Sequence, residues 1–143
     1  MQQLMTRMLA AQNEVLSYSQ NLKDGVVPSV TDILSVWGDL VDVHMSISNH
    51  LADCFSAKEY ANIERKVAQA KNYISFRQKL NGVDSTNESI TSTAAELKKE
   101  ADSMIVYERC KILLRSLDNT FTFLQSLQSR IAQMETRFSP KSL

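Results

Sequence analysis

Glycine and proline are scarce in this chain of 143 residues, three and two respectively. β-Branched residues never gather into alternating runs, so little is left to build strands from. Ala, Leu, Gln, Ser, Lys and Glu dominate instead, a composition that points to helices. An excess of charge of either sign is also missing. Sixteen acids balance sixteen bases, which excludes a polycation for nucleic acid and an acidic tail. No apolar run approaches the length of a membrane span. The opening Met1–Val15 carries one Arg, no long apolar core and an early Glu14, so it does not read as a secretory leader. Only two cysteines occur, Cys54 and Cys110, in no metal or redox spacing. Free thiols in a reducing compartment are expected, hence a cytoplasmic setting or the cytoplasmic face of a membrane.

Catalytic motifs are missing too. There is no Cys-x-x-Cys-His, no glycine-rich phosphate loop, no His-Glu-x-x-His and no Gly-x-Ser-x-Gly. Asp39, Asp42, His44 and His50 lie close in sequence, but carboxylate-bridged bundle sites use paired Glu-x-x-His helices, which this chain lacks. Cys110 stands beside Arg109 and Lys111, which would lower a thiol pKa, but its seam position favours an inert buried thiol. The expectation is therefore no enzyme, no small-molecule substrate, no metal and no cofactor.

What is present is helical rhythm, interrupted twice. In "KDGVVPSVTD" Gly25 suits a helix C-terminus, Pro28 cannot continue one, and Ser29 can cap the next with Asp32 three residues on. In "NGVDSTNES" Asn81-Gly82 reads as a turn, with Ser85, Thr86 or Asn87 as the following cap. Three helices are expected, over residues 2–24, 29–80 and 87–138, forming a single domain.

Each helix carries an apolar seam at steps of three and four. The first holds Leu4, Met8, Ala11, Val15, Tyr18 and Leu22. The second opens on Val30, Ile33, Trp37, Leu40, His44, Ile47, Leu51 and Cys54. The third holds Val106, Cys110, Leu113, Leu117, Thr120, Leu124, Leu127, Ile131, Met134 and Phe138, with Phe121 among the apolar residues beside it. Such stripes face a neighbouring helix over long distances. Two displacements break the phase. After Cys54 the apolar residues fall at Tyr60, Ile63, Val67, Ala70 and Ile74, and "FSAKEY" reads as a capping box, so a kink near residue 56 is expected. Near residue 105 the stripe Ile90, Ala94, Leu97, Ala101, Met104 gives way to Val106. In a hairpin folded about residue 84 the two shifts lie within two helical turns and read as one feature.

The expected fold is all-α: an elongated antiparallel bundle, one short helix packed on one end of a long coiled-coil-like hairpin. Helices of about fifty residues run roughly 75 Å, and the first helix covers only one end. The seams it leaves call for self-association, a homodimer by default, or for partner helices. The residues expected to carry it are Val30, Ile33, Trp37, Leu40, His44, Ile47, Leu51, Leu113, Leu117, Phe121, Leu124, Leu127 and Ile131. His44 is expected to pack with one ring nitrogen bonded to a neighbour, or to make a pH-sensitive contact. Trp37-Gly38 suggests a close helix crossing.

Charge is uneven along the second helix. Residues 31–53 hold Asp32, Asp39, Asp42 and Asp53 and no base. Residues 58–80 hold Lys58, Arg65, Lys66, Lys71, Arg77 and Lys79 against Glu59 and Glu64, with Lys98 and Lys99 nearby in the hairpin. An antiparallel copy would set acidic half on basic half, or the basic half would meet an anionic membrane. One short and two long kinked helices with a basic tip resemble the crescent-shaped BAR dimers in layout, which implies dimeric membrane binding or remodelling. Nucleic-acid binding is a weaker candidate, since no helix-turn-helix signature surrounds the basic half. A cofactor carrier in a four-helix bundle ranks last. The leading expectation is a non-enzymatic interaction or scaffolding module.

Overall fold

The computed structural model describes residues 1–138, with side chains through residue 136. The seam position given to Phe138 falls outside the described side chains. Among the described residues the protein is all-α, four helices and no strands: α1 Gln2–Lys23, α2 Val30–Arg77, α3 Gly82–Ser92 and α4 Ala94–Phe138. The long α2 and α4 pack antiparallel, accompanied by the short α1 and α3. Contacts divide the chain into two compact units. The first comprises Met1–Ser48 and the α4 segment from Ile112 onward; the second comprises Asn49–Lys111.

The helix ends follow from capping chemistry. α1 stops where Gly25 takes a φ of 83°, open to residues without a Cβ penalty. Val26 N–H then bonds Asn21 O at 2.7 Å and Gly25 N–H bonds Leu22 O at 3.2 Å, the paired bonds of a Schellman ending. Ser29 Oγ accepts from Asp32 N–H at 3.0 Å and caps α2 as expected. The third start differs. α3 begins five residues early because Asn81, not Ser85, Thr86 or Asn87, is the cap. Its side-chain oxygen accepts from Asp84 N–H at 2.8 Å, and its amide returns a bond to the Asp84 carboxylate at 2.8 Å. What was expected to be one helix is two, separated at Thr93. There the hydroxyls of Thr91, Ser92 and Thr93 all donate to their own helix's carbonyls, and the Thr93 N–H is shared between Ser89 O and Ile90 O, both at 3.2 Å. Such back-bonding competes with the helical ladder and bends it.

In the first unit three helices enclose one apolar core. α1 supplies Met8, Ala11, Val15 and Leu22; α2 supplies Ile33, Val36, Leu40, Val43 and Ile47; α4 supplies Leu117, Leu124 and Leu127. Full burial of each Leu, Ile or Val contributes roughly 1.5–3 kcal/mol.

The second unit overturns the expected phase shifts. α2 runs unbroken through Ser56, so the "FSAKEY" capping box caps nothing. Its inward positions keep the original rhythm: Cys54, Lys58, Ala61, Arg65, Ala68 and Asn72 are buried or half-buried. Facing them are Ser85, Ser89, Thr93, Glu96, Glu100, Ser103, Tyr107 and Cys110 at the same spacing. The face turned inward never changes; its composition does. Apolar residues move to the outside, and small or polar ones line the inside.

Candidate functional site

Most of the polar interior of the second unit is hydrogen-bonded, while Glu96 Oε2 is buried without a partner. Ser85, Ser89 and Thr93 are fully buried, and each hydroxyl donates to a carbonyl of its own chain segment, at 3.4, 2.8 and 2.8 Å. Arg65 Nε donates to Glu100 at 2.6 Å, and Asn62 Nδ2 donates to the other Glu100 oxygen at 2.8 Å. These two bonds, Arg65 first, hold the Glu100 carboxyl below its ordinary pKa. Lys58 is half-buried because its ammonium lies 5.1 Å from the Phe55 ring centre and 4.6 Å from that of Tyr107.

The outer surface of the same unit carries the residues that pattern reading assigned to the inside. Tyr60 and Ile74 are 62% and 63% exposed, and Ile63, Val67, Ile90, Leu97 and Met104 are exposed as well. Tyr60, Ile63 and Val67 share with Ala95 an open groove of about 620 Å³, edged by Glu64, Lys71, Glu96 and Lys99. Lys99 donates to Glu64 at 2.7 Å across that groove, which raises the Lys99 pKa.

The expected partner seam is placed differently. Ile33, Leu40, Ile47, Leu117, Leu124 and Leu127 are spent inside the first unit's own core. Trp37, His44, Leu113, Phe121 and Ile131, together with Leu51 of the second unit, are half-buried, and Val30 is 72% exposed. The apolar residues α2 leaves outward in this unit are Val30, Leu34, Val41 and Met45, one helical stripe that the sequence reading had not marked beyond Val30. Val30, Leu34, Ile131 and Ala132 line one groove of about 180 Å³.

Comparison with known proteins finds no matching family, no similar characterised sequence and no similar solved structure.

His44 is a packed residue with partners. Its Nε2 lies 3.2 Å from Asp118 Oδ1, its Nδ1 3.4 Å from Ser48 Oγ, and its ring meets the edge of Phe121. Trp37 packs edge-on against the same Phe121, centroids 5.4 Å apart. Gly38 marks no close crossing: a Cβ there would meet nothing within 4 Å.

The basic set divides. Arg65 and Lys99 are paired with Glu100 and Glu64, and Lys58 with its rings and Glu59. Lys66, Lys71, Arg77, Lys79 and Lys98 are exposed. The two free thiols lie 3.9 Å apart and buried. Burial and the Cys54 contact push the Cys110 thiol up to about 11, the reverse of activation by its basic neighbours. No helix of the described residues is long and apolar enough to cross a membrane.

Proposed function

We propose that this protein is a non-enzymatic helical interaction module, and that its first partner is a second copy of the same chain. The observation that carries the reading is the reversed polarity of the second unit. Tyr60, Ile63, Val67 and Ile74 sit outward at helical spacing while Arg65, Asn72, Ser89 and Glu100 sit inward. Contiguous exposed apolar stripes with charged edges mark surfaces that another protein covers. A copy of this chain suits the charge pattern. Asp32, Asp39 and Asp53 are exposed on the acidic part of α2, and Lys66, Lys71 and Arg77 on the basic part. An antiparallel, isologous arrangement sets one against the other twice.

Sedimentation equilibrium on the wild type and on an Ile63→Glu, Val67→Glu double variant tests this. Both positions are exposed, so the variant keeps its helices by circular dichroism. The wild type associates with rising concentration and the variant stays monomeric. A wild type that is monomeric throughout the micromolar range, or a variant that associates as the wild type does, overturns the reading.

A second reading is favoured by the exposed cations Lys66, Lys71, Arg77, Lys79 and Lys98. They suit an anionic bilayer surface, where each contributes about 1 kcal/mol. This is the BAR-like alternative. Arg65, engaged with Glu100, does not belong to that set. Co-sedimentation with anionic liposomes decides it. Binding that is lost on Lys66→Glu, Lys71→Glu supports the reading, and binding indifferent to anionic lipid removes it.

A further inference from the structure

The two buried thiols have a third neighbour. His50 precedes Cys54 by four residues, so α2 turns both side chains to the same face. α4 brings Cys110 to that face from the opposite side. The donor atoms of His50, Cys54 and Cys110 all lie within 4.8 Å of one another, inside the second unit. We propose that these three residues form a metal site of the Cys-Cys-His type, with Zn²⁺ as its cation.

Geometry and ligand chemistry both support it. Two sulfurs bound at ~2.3 Å to one tetrahedral ion stand about 3.8 Å apart. Cys54 Sγ and Cys110 Sγ stand 3.9 Å apart, so neither helix has to move. A sulfur and an imidazole nitrogen on the same ion stand about 3.6 Å apart. His50 meets that by closing at most about 1.2 Å from the 4.8 Å limit, which its half-buried position permits. Two thiolates and an imidazole are the borderline-soft donors that Zn²⁺ takes in preference to Ca²⁺ or Mg²⁺. A simple thiol pair packed in a core has no need of an imidazole beside it. Access is present as well: Cys54 lines an open groove of about 410 Å³ with Asp102, Ser103 and Val106. Three protein ligands leave the fourth position to water or an incoming group. On binding, each sulfur releases its proton to solvent, so the ion joins α2 to α4 through deprotonated ligands.

The site was invisible to spacing rules, which search for ligands a few residues apart on one segment. Here the pair His50-x-x-x-Cys54 is local and Cys110 is fifty-six positions beyond Cys54.

The experiment uses the full chain, fully reduced and stripped of metal, titrated with Co²⁺ as the optical probe for Zn²⁺. Expected are one Co²⁺ per chain, thiolate-to-cobalt charge-transfer absorption, the strong visible bands of tetrahedral cobalt, and bleaching when Zn²⁺ is added. Cys110→Ser lowers the charge-transfer intensity by about half, one thiolate remaining of two. His50→Gln, at a half-buried position, keeps that absorption but weakens affinity by roughly tenfold or more. Circular dichroism confirms that each variant is as helical as the wild type. Absence of charge-transfer absorption at stoichiometric Co²⁺, or binding unchanged in both variants, overturns the site. Because the readout is per chain, it stands or falls separately from self-association.

Discussion

Gly38 interrupts a run of helix formers in the middle of α2 and is exposed. A Cβ added there meets nothing within 4 Å and the backbone is helical, so no contact explains the residue. Gly38→Ala therefore raises stability by about 1 kcal/mol through reduced freedom of the unfolded chain; a higher melting temperature with unchanged association checks it. Glu100 sets an acid limit. Arg65 and Asn62 depress its pKa in the folded protein. A depressed carboxyl stabilises fully above the ordinary glutamate pKa of ~4.3 and loses that contribution as pH falls through the lower folded value. Thermal melts taken from neutral to acid pH show a steeper decline for the wild type than for Glu100→Gln, which is already weaker at neutral pH. If the two decline in parallel, the Arg65 pairing contributes nothing to the acid sensitivity. Cys110 makes the opposite point about charge. With its thiol pushed up to about 11, roughly one molecule in 10⁴ is thiolate at neutral pH. Iodoacetamide thus modifies the folded protein far more slowly than the urea-unfolded chain, despite Arg109 and Lys111 alongside.

At the scale of elements, caps decide where helices begin. Asn81 satisfies the Asp84 N–H and receives nothing else to replace it, so Asn81→Ala costs about 1 kcal/mol. Faster amide exchange in α3, with α1 unaffected, is the local readout. Much of this level was legible beforehand. The all-α class, the Gly25 ending, the Ser29 cap and the inward stripe of α1 follow from residue types at known offsets, whereas the α2 stripe was read one position off at Val36 and Val43, which are fully buried while Val30 is exposed. Asn81 was misassigned because Asn-Gly serves equally as a turn and as a cap followed by the first helical residue. The break at Thr93 was missed because Thr and Ser at helical spacing look permissive until their hydroxyls are seen competing for carbonyls. The second unit was misread for a deeper reason. Pattern reading follows apolar residues and assumes they face inward. From Tyr60 to Ile74 and from Ile90 to Met104 they face outward. The inner stripe is instead Ser85, Ser89, Thr93 and the Arg65–Glu100 pair, which no hydropathy rule selects. The apparent shifts of phase near residues 56 and 105 are the points where apolar residues change sides on helices whose inner face continues.

At the scale of the whole molecule, a neutral total hides a split. The exposed aspartates of α2 lie between Asp32 and Asp53 and its exposed bases between Lys66 and Arg77, with the exposed Glu59 between the two groups. In the proposed pair of chains two forces would act: apolar stripes that attract without direction, and charges that select one direction. They are separable by salt. The Debye length falls from about 10 Å at ~0.1 M to about 3 Å at ~1 M, while burial of Ile63, Val67 and their neighbours is untouched or strengthened. If the proposed association is driven by the stripes, it is expected to survive at high salt in the wild type. Its antiparallel preference is not, because exposed charge pairs contribute only ~0–1 kcal/mol each even when unscreened. A spin label at exposed Ala57 and another at exposed Gln78, read by pulsed distance measurement, follow the register directly. One narrow inter-chain distance is expected at low salt and a broader set at high salt. Reversing Lys66 and Lys71 to Glu produces the broad set already at low salt, with little loss of association. A single narrow distance that neither salt nor reversal disturbs would assign the register to side-chain packing alone and leave the charge split without a role in it.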